Sequence, residues 1–196
     1  MEHNIFLDVL SSLQRLFVGY IPAAILGGFI GYLIGINAII YQICRRIFQI
    51  PHSIPPIVFL PIALILFQES EAASAIVIFS ASLWSMIVNT AIGMRHFYRQ
   101  NSQFRAAIFH TFHALKVSIW VAWFTVIAIE MLVGTKGLGS LAWDAYKAGN
   151  VSYIVQSIIY IGVIGCLLDQ LLDLSGYLLV QFVSAGKKSA QENNKK

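Results

Sequence analysis

Three carboxylates stand inside otherwise apolar stretches of this chain: Glu130 in VSIWVAWFTVIAIEMLV, and Asp169 and Asp173, four apart, in IGVIGCLLDQLLDL. A charged side chain at the centre of a bilayer costs about 2.5–3.5 kcal/mol on insertion scales, so each needs a partner or a task. Glu130 lies about one turn before the glycine loop GTKGLG. There it either accepts backbone N–H bonds from that loop and holds its shape, or takes part directly in a polar path. Asp169 and Asp173 share a helix face with Gly162, Gly165 and Gly176. Near the inner end of a membrane helix they are expected to pair with Arg95, Arg99 or Lys116, in preference to forming an acid/base couple.

Other groups that could do chemistry are scattered. The basic stretch RHFYRQNSQFRAAIFHTFHALK carries His96, His110 and His113 without a carboxylate. These histidines read as interfacial polar residues before metal ligands, and no His/Cys/Asp cluster has metal spacing. Cys44 and Cys166 stand in or beside apolar segments and do not reveal a redox compartment. No glycine-rich nucleotide loop or nucleophile elbow occurs, and Asp144 has no histidine nearby. An enzyme is not expected, nor a cofactor. The basic residues flank apolar runs instead of alternating with aromatics on a polar face, which speaks against nucleic acid.

The elements that must position these residues are helices in a membrane. Of 196 residues 58% are apolar and 11% charged, against roughly 25% charged in soluble domains. MEHNIFLDVLSS has neither a basic n-region nor a cleavage site, so no removable signal peptide is expected. Residues 1–15 read as an interfacial lead-in, 16–183 as the transmembrane domain and 184–196 as a disordered cytoplasmic tail. Spans are expected over 16–36, over SIPPIVFLPIALILF, over 73–93, over 117–133 and over 153–182, with lengths set by a bilayer core of about 30 Å. Pro22 removes a hydrogen bond from the first, and Pro55, Pro56 and Pro61 fix the entry and bend of the short second span. In the first span Ala23, Gly27, Gly31 and Gly35 recur every four residues, a small-residue face for close helix packing.

Charge sets the expected orientation. Arg45 and Arg46 in the loop NAIIYQICRRIFQIPHS, then Arg95, Arg99, Arg105 and the tail lysines, fall on one side, while Arg15, Lys136 and Lys147 fall on the other. By the positive-inside rule the N-terminus is outside and the C-terminus cytoplasmic. Glu69 and Glu71 then form an outer acidic turn. Between Arg99 and Lys116 one short helix is expected to lie on the membrane, with Phe104, Ile108, Phe112 and Leu115 on one face.

Five segments in order carry a resemblance: SLQRLFVGYIPAAILGGFIGYLIG, SIPPIVFLPIALILF, NTAIGMR, WVAWFTVIAIEMLVGTKGLGSLAWDAY and IGVIGCLLDQLLDL. Over roughly residues 10–182 the chain resembles the permease subunit of ABC importers for nitrate, bicarbonate, sulfonate and taurine. The fold implied is an all-α polytopic membrane protein of five transmembrane helices, like an ABC type I importer permease, in the inner membrane. The resemblance implies a second permease copy or paralogue, a cytoplasmic ABC ATPase and an extracytoplasmic solute-binding protein, with lipid around them. It places Asn89, Thr90, Glu130, Gly134, Gly137 and Gly139 beside the path or its gate.

The chain departs from that family in two places. It starts at what resembles the family's second spanning helix. In addition, the cytoplasmic loop that carries a Glu-Ala-Ala pattern and docks the ATPase is shortened. Its nearest remnant is Arg105, Ala106, Ala107 and Thr111, with arginine for glutamate, threonine for glycine and no following proline. A literal Glu71-Ala72-Ala73 occurs on the side expected to be outside and reads as a decoy. Two readings follow: a working permease whose shortened segment still docks, or a permease descendant without ATPase coupling that serves as a scaffold or accessory subunit.

Overall fold

The structure, a computed structural model, describes residues 5–99 and 104–193; the side chains of 45, 49, 52, 99, 104–107 and 182–193 lie outside the description. Seven α-helices follow in order: α1 (Ile5–Ile36), α2 (Ala38–Ser53), α3 (Leu60–Phe67), α4 (Ser70–Arg99), α5 (Phe104–Val133), α6 (Leu138–Lys147) and α7 (Val151–Asn193). A 3-10 turn, Pro56–Phe59, leads into α3. Four of the described helices, α1, α4, α5 and α7, are long and apolar enough to cross a membrane.

The expected second span has a different form. Ser53–Phe67 gives only the 3-10 turn and the eight-residue α3, and the loop expected before it is the amphipathic helix α2. Asn37 ends α1 and starts α2, its side-chain oxygen accepting from the N–H groups of Ile39 (2.9 Å) and Ile40 (3.3 Å). Tyr41 and Cys44 then pack with Ile87 and Ala91, and Phe48 meets Trp84 at a ring-centroid distance of 5.6 Å. Pro55 holds Ile54 extended, at φ −85 and ψ 124, which breaks the helix beside Ser80 and Ala81. Leu60 and Ala63 continue into the cluster of Ala73, Val77 and Ile78. The partners run backwards along α4, so α2, the 3-10 turn and α3 together form one broken return passage. Arg46, expected in a loop, sits exposed on α2.

The return passage lets α1 and α4 lie parallel. They meet through the small-residue stripe, where a Cβ on Gly27 would stand 2.9 Å from Met86 Cβ, and one on Gly31 would stand 2.7 Å from the Ile87 carbonyl oxygen. On Gly35 it would stand 2.5 Å from Met94 Cβ. Ala23 is fully buried on the same face. Gly19, a position outside the expected stripe, extends it one step against Ile78.

Two further expectations are corrected. Residues 5–15 are the first turns of α1, and Asp8, Ser12 and Arg15 are buried at 1%, 0% and 9% exposure instead of lying on an interface. The helix expected on the membrane surface before Lys116 is instead continuous with the span that follows, as α5. It pairs with α4 up to the connecting residues: a Cβ on Gly93 would touch His110, and His96 stacks on His110 at 6.3 Å. Helix α7 continues past Gly186 to Asn193.

Candidate functional site

Helix α6 begins at Gly137, which has no side chain with which to cap its own helix. The first N–H groups of any helix lack internal partners and carry partial positive charge. Here the caps come from two other helices. Leu138 N–H donates to Ser12 Oγ at 3.0 Å, and Gly139 N–H donates to Glu130 Oε2 at 2.9 Å. Ser12 Oγ in turn donates to Glu130 Oε2 at 2.9 Å. Glu130 is 0% exposed. Of the two roles open to it, acceptance of N–H bonds from the glycine loop is present in the geometry.

The other Glu130 oxygen, Oε1, accepts from Arg15 Nη1 at 2.9 Å. The same Nη1 donates to the Lys136 carbonyl. Arg15 turns its second edge to Glu71, with Nε to Oε2 at 2.8 Å and Nη2 to Oε1 at 2.6 Å, a two-pronged pair. One guanidinium thus joins α1, the first turn of α4, the last turn of α5 and the loop before α6. A cleft of about 420 Å³, lined by Ser11, Gln14, Arg15, Val18, Glu71 and Ala75, opens beside it.

The glycines of this loop serve different ends. Gly134 takes a left-handed conformation, φ 72, that closes α5. A Cβ on Gly137 would overlap the Glu130 carboxylate, and one on Gly139 would stand 2.8 Å from Glu130 Cβ. These two positions need the absence of a side chain.

Asn89 and Thr90 are elsewhere. From Glu71 to Thr90 along α4 is about 28 Å at 1.5 Å per residue, so the expected path residues fall into two groups at opposite ends. Asn89 Nδ2 donates to the Ser85 carbonyl at 2.8 Å, within its own helix. Thr90 is 4% exposed, and its Oγ1 has no hydrogen-bond partner among the described residues. It lines a cleft of about 370 Å³ between α1, α4 and α5, with Gly28, Tyr32, Met86 and Thr111. Thr111, the last residue of the coupling remnant, therefore comes beside Thr90. The side chains of Arg105, Ala106 and Ala107 lie outside the described residues, and their backbone belongs to α5.

At the same end Lys116 Nζ meets Asp169 Oδ1 at 3.1 Å and Asp173 Oδ2 at 2.8 Å, so Lys116, one of the expected cations, pairs with these aspartates; the Arg99 side chain lies outside the described residues. Trp120 Nε1 also donates to Asp169, at 3.3 Å. Among the described residues no group of His, Cys, Asp and Glu is arranged to hold a metal.

Sequence reasoning missed Arg15, Ser12 and Glu71. The signal was available in the rule that an intramembrane charge requires a partner: Arg15, Glu71 and Glu130 are ionisable groups that α1, α4 and α5 carry at one end of the bundle.

No protein-family model matches the chain. The nitrate import permease protein NrtB of Leptolyngbya laminosa is 35% identical over 187 residues, covering 87% of this chain and 67% of the relative. That of Synechocystis sp. strain PCC 6803 is 35% identical over 196 aligned residues, covering 91% and 71%. The bicarbonate transport system permease protein CmpB of Synechococcus elongatus is 32% identical over 188 residues, covering 87% and 68%. The chain spans about two thirds of the length of these relatives, which are transport permeases and not enzymes. With its apolar membrane-length helices and this identity over most of its length, the chain belongs to the nitrate and bicarbonate ABC transport permeases.

Proposed function

We propose that this chain is the translocating subunit of an importer for a small oxyanion of the nitrate or bicarbonate kind. It works with a second permease copy or paralogue, an ATPase at its Lys116 end and a solute-binding protein at its Arg15 end. The single observation that carries the reading is identity of 35% to permeases named for nitrate import. The positive charge of Arg95 and of the start of α5 supports a cytoplasmic Lys116 end and an outer N-terminus under the positive-inside rule. The cleft between α1, α4 and α5, with Thr90 on its α4 wall, supports an inner stretch of the path. Glu130 and the loop from Gly134 to Gly139 support an outer gate.

One observation favours a second reading. Helix α4 ends at Arg99 and α5 starts at Phe104, so the two spans are joined by residues 100–103 alone. Two separate coupling helices have no place there, and an ATPase would have to dock on the tip of the α4–α5 hairpin. If it does not, the chain is an accessory subunit of another membrane complex.

Mild-detergent affinity purification from the native membrane, followed by mass spectrometry, separates the two. The import reading expects a nucleotide-binding subunit in near-equal amount, lost when residues 105–111 are replaced by a Gly/Ser linker. Recovery of other membrane proteins without an ATPase would establish the accessory role.

A further inference from the structure

The two edges of the Arg15 guanidinium differ in what holds them. The inner edge is fixed by Glu130, which is 0% exposed, and by the Lys136 carbonyl. The outer edge, Nε and Nη2, is held among the described residues by Glu71 alone, whose side chain is 55% exposed and borders the 420 Å³ cleft. Arg15 itself is 9% exposed, a buried fork whose second edge opens on that cleft.

A carboxylate, nitrate and bicarbonate share one shape: a planar group presenting two oxygens in the spacing that a guanidinium edge accepts. Glu71 sits on Arg15 as such an oxyanion would. It also has somewhere to go. Glu71 belongs to the first turn of α4, where the helix N-terminus favours a negative group, and it is already largely hydrated. Displacing it leaves no buried charge unpaired, because the incoming anion replaces its charge on Arg15 while Glu130 keeps the inner edge.

We infer that the outer edge of Arg15 is an exchange site for a small planar oxyanion, with Glu71 as the internal group that occupies it when the anion is absent. Exchange breaks the Arg15–Glu71 pair, while the packed stripe keeps α1 seated on α4. The inference rests on the import reading for its biological sense, but the binding itself is a property of this chain.

The test is nitrate binding to the purified full chain in lipid nanodiscs, followed by calorimetry with chloride at equal ionic strength as reference. Glu71→Gln removes the competing charge and is expected to lower the Kd for nitrate at least tenfold relative to the unaltered chain. Adding Arg15→Lys to it is expected to abolish the gain, because an ammonium has no planar fork. Equal nitrate affinity with and without Glu71→Gln overturns the exchange site. So does a gain that chloride matches. Uptake by the assembled transporter keeps this separate from the import reading. Uptake without any effect of Glu71→Gln on binding removes the site and leaves the importer, whereas tighter nitrate binding without uptake keeps the site and removes the importer.

Discussion

Arg15 and Glu130 are held 2.9 Å apart at 9% and 0% exposure, an ion pair between the first and fifth helices almost closed to solvent. Removing one member of such a pair strands the other, at a cost of about 3–5 kcal/mol. Arg15→Gln is therefore expected to lower the thermal unfolding midpoint strongly, and Arg15→Gln with Glu130→Gln to recover part of the loss. Glu71→Gln, at an exposed member, is expected to cost no more than about 1 kcal/mol. Scanning fluorimetry of the four purified chains checks the order. A larger loss from Glu71→Gln than from Arg15→Gln would contradict it.

Gly31→Ala puts a methyl 2.7 Å from the Ile87 carbonyl oxygen and 2.8 Å from Thr90 Cβ, where the nearest obstacle is backbone. The expected cost is about 1–3 kcal/mol, the range for overpacked sites. Gly162→Ala meets nothing within 4 Å and is expected to be neutral or to gain up to about 1 kcal/mol from helix propensity. Urea or thermal unfolding in the same detergent compares the two.

Gly137→Ala drives a methyl into the Glu130 carboxylate and pushes it off the N–H of Gly139. Loss of an N-terminal cap costs about 0.5–2 kcal/mol. Hydrogen exchange at the first amides of α6 should accelerate while exchange in α4 stays as it was. Uniform acceleration through the bundle would show that the glycine supports more than this helix end.

Lys116 ties α5 to α7 through Asp169 and Asp173, whose side chains are 28% and 63% exposed. Lys116→Ala should change global stability by less than about 1 kcal/mol. The most apolar stretch of α7 is only 17% buried against 50% in α4, and its apolar seat is the narrow strip of Ile161, Ile164, Leu168 and Leu172. Spin labels on α5 and α7 are expected to report a broader distance distribution in the variant. An unchanged distribution would mean that apolar contacts alone seat α7.

The parts of this fold that were legible were those written in one helix's own spacing. The four-residue period of Ala23, Gly27, Gly31 and Gly35 marked a close-packing face, and the positions of Asp169 and Asp173 foretold a cation opposite them. What stayed hidden was relational. Arg15 reads as an interfacial charge until Glu71 and Glu130 are brought to it by helices far along the chain. The α2 stretch looked like a loop because Arg45 and Arg46 outweighed the apolar face of Tyr41, Cys44 and Phe48. The break at Ile54 was visible in its prolines, but their place halfway up α4 was not.

The stripe on α1 is matched step for step on α4: Gly19 with Ile78, Gly27 with Met86, Gly31 with Thr90, Gly35 with Met94. A pair seated at such evenly cut notches has discrete positions. Sliding one helix by a fraction of a turn sets these small residues against neighbouring side chains at every step at once, so the collisions add along the whole length. The two helices therefore behave as a single stave, and rearrangement of this bundle falls to its other joints, foremost the broken passage at Ser53–Pro56.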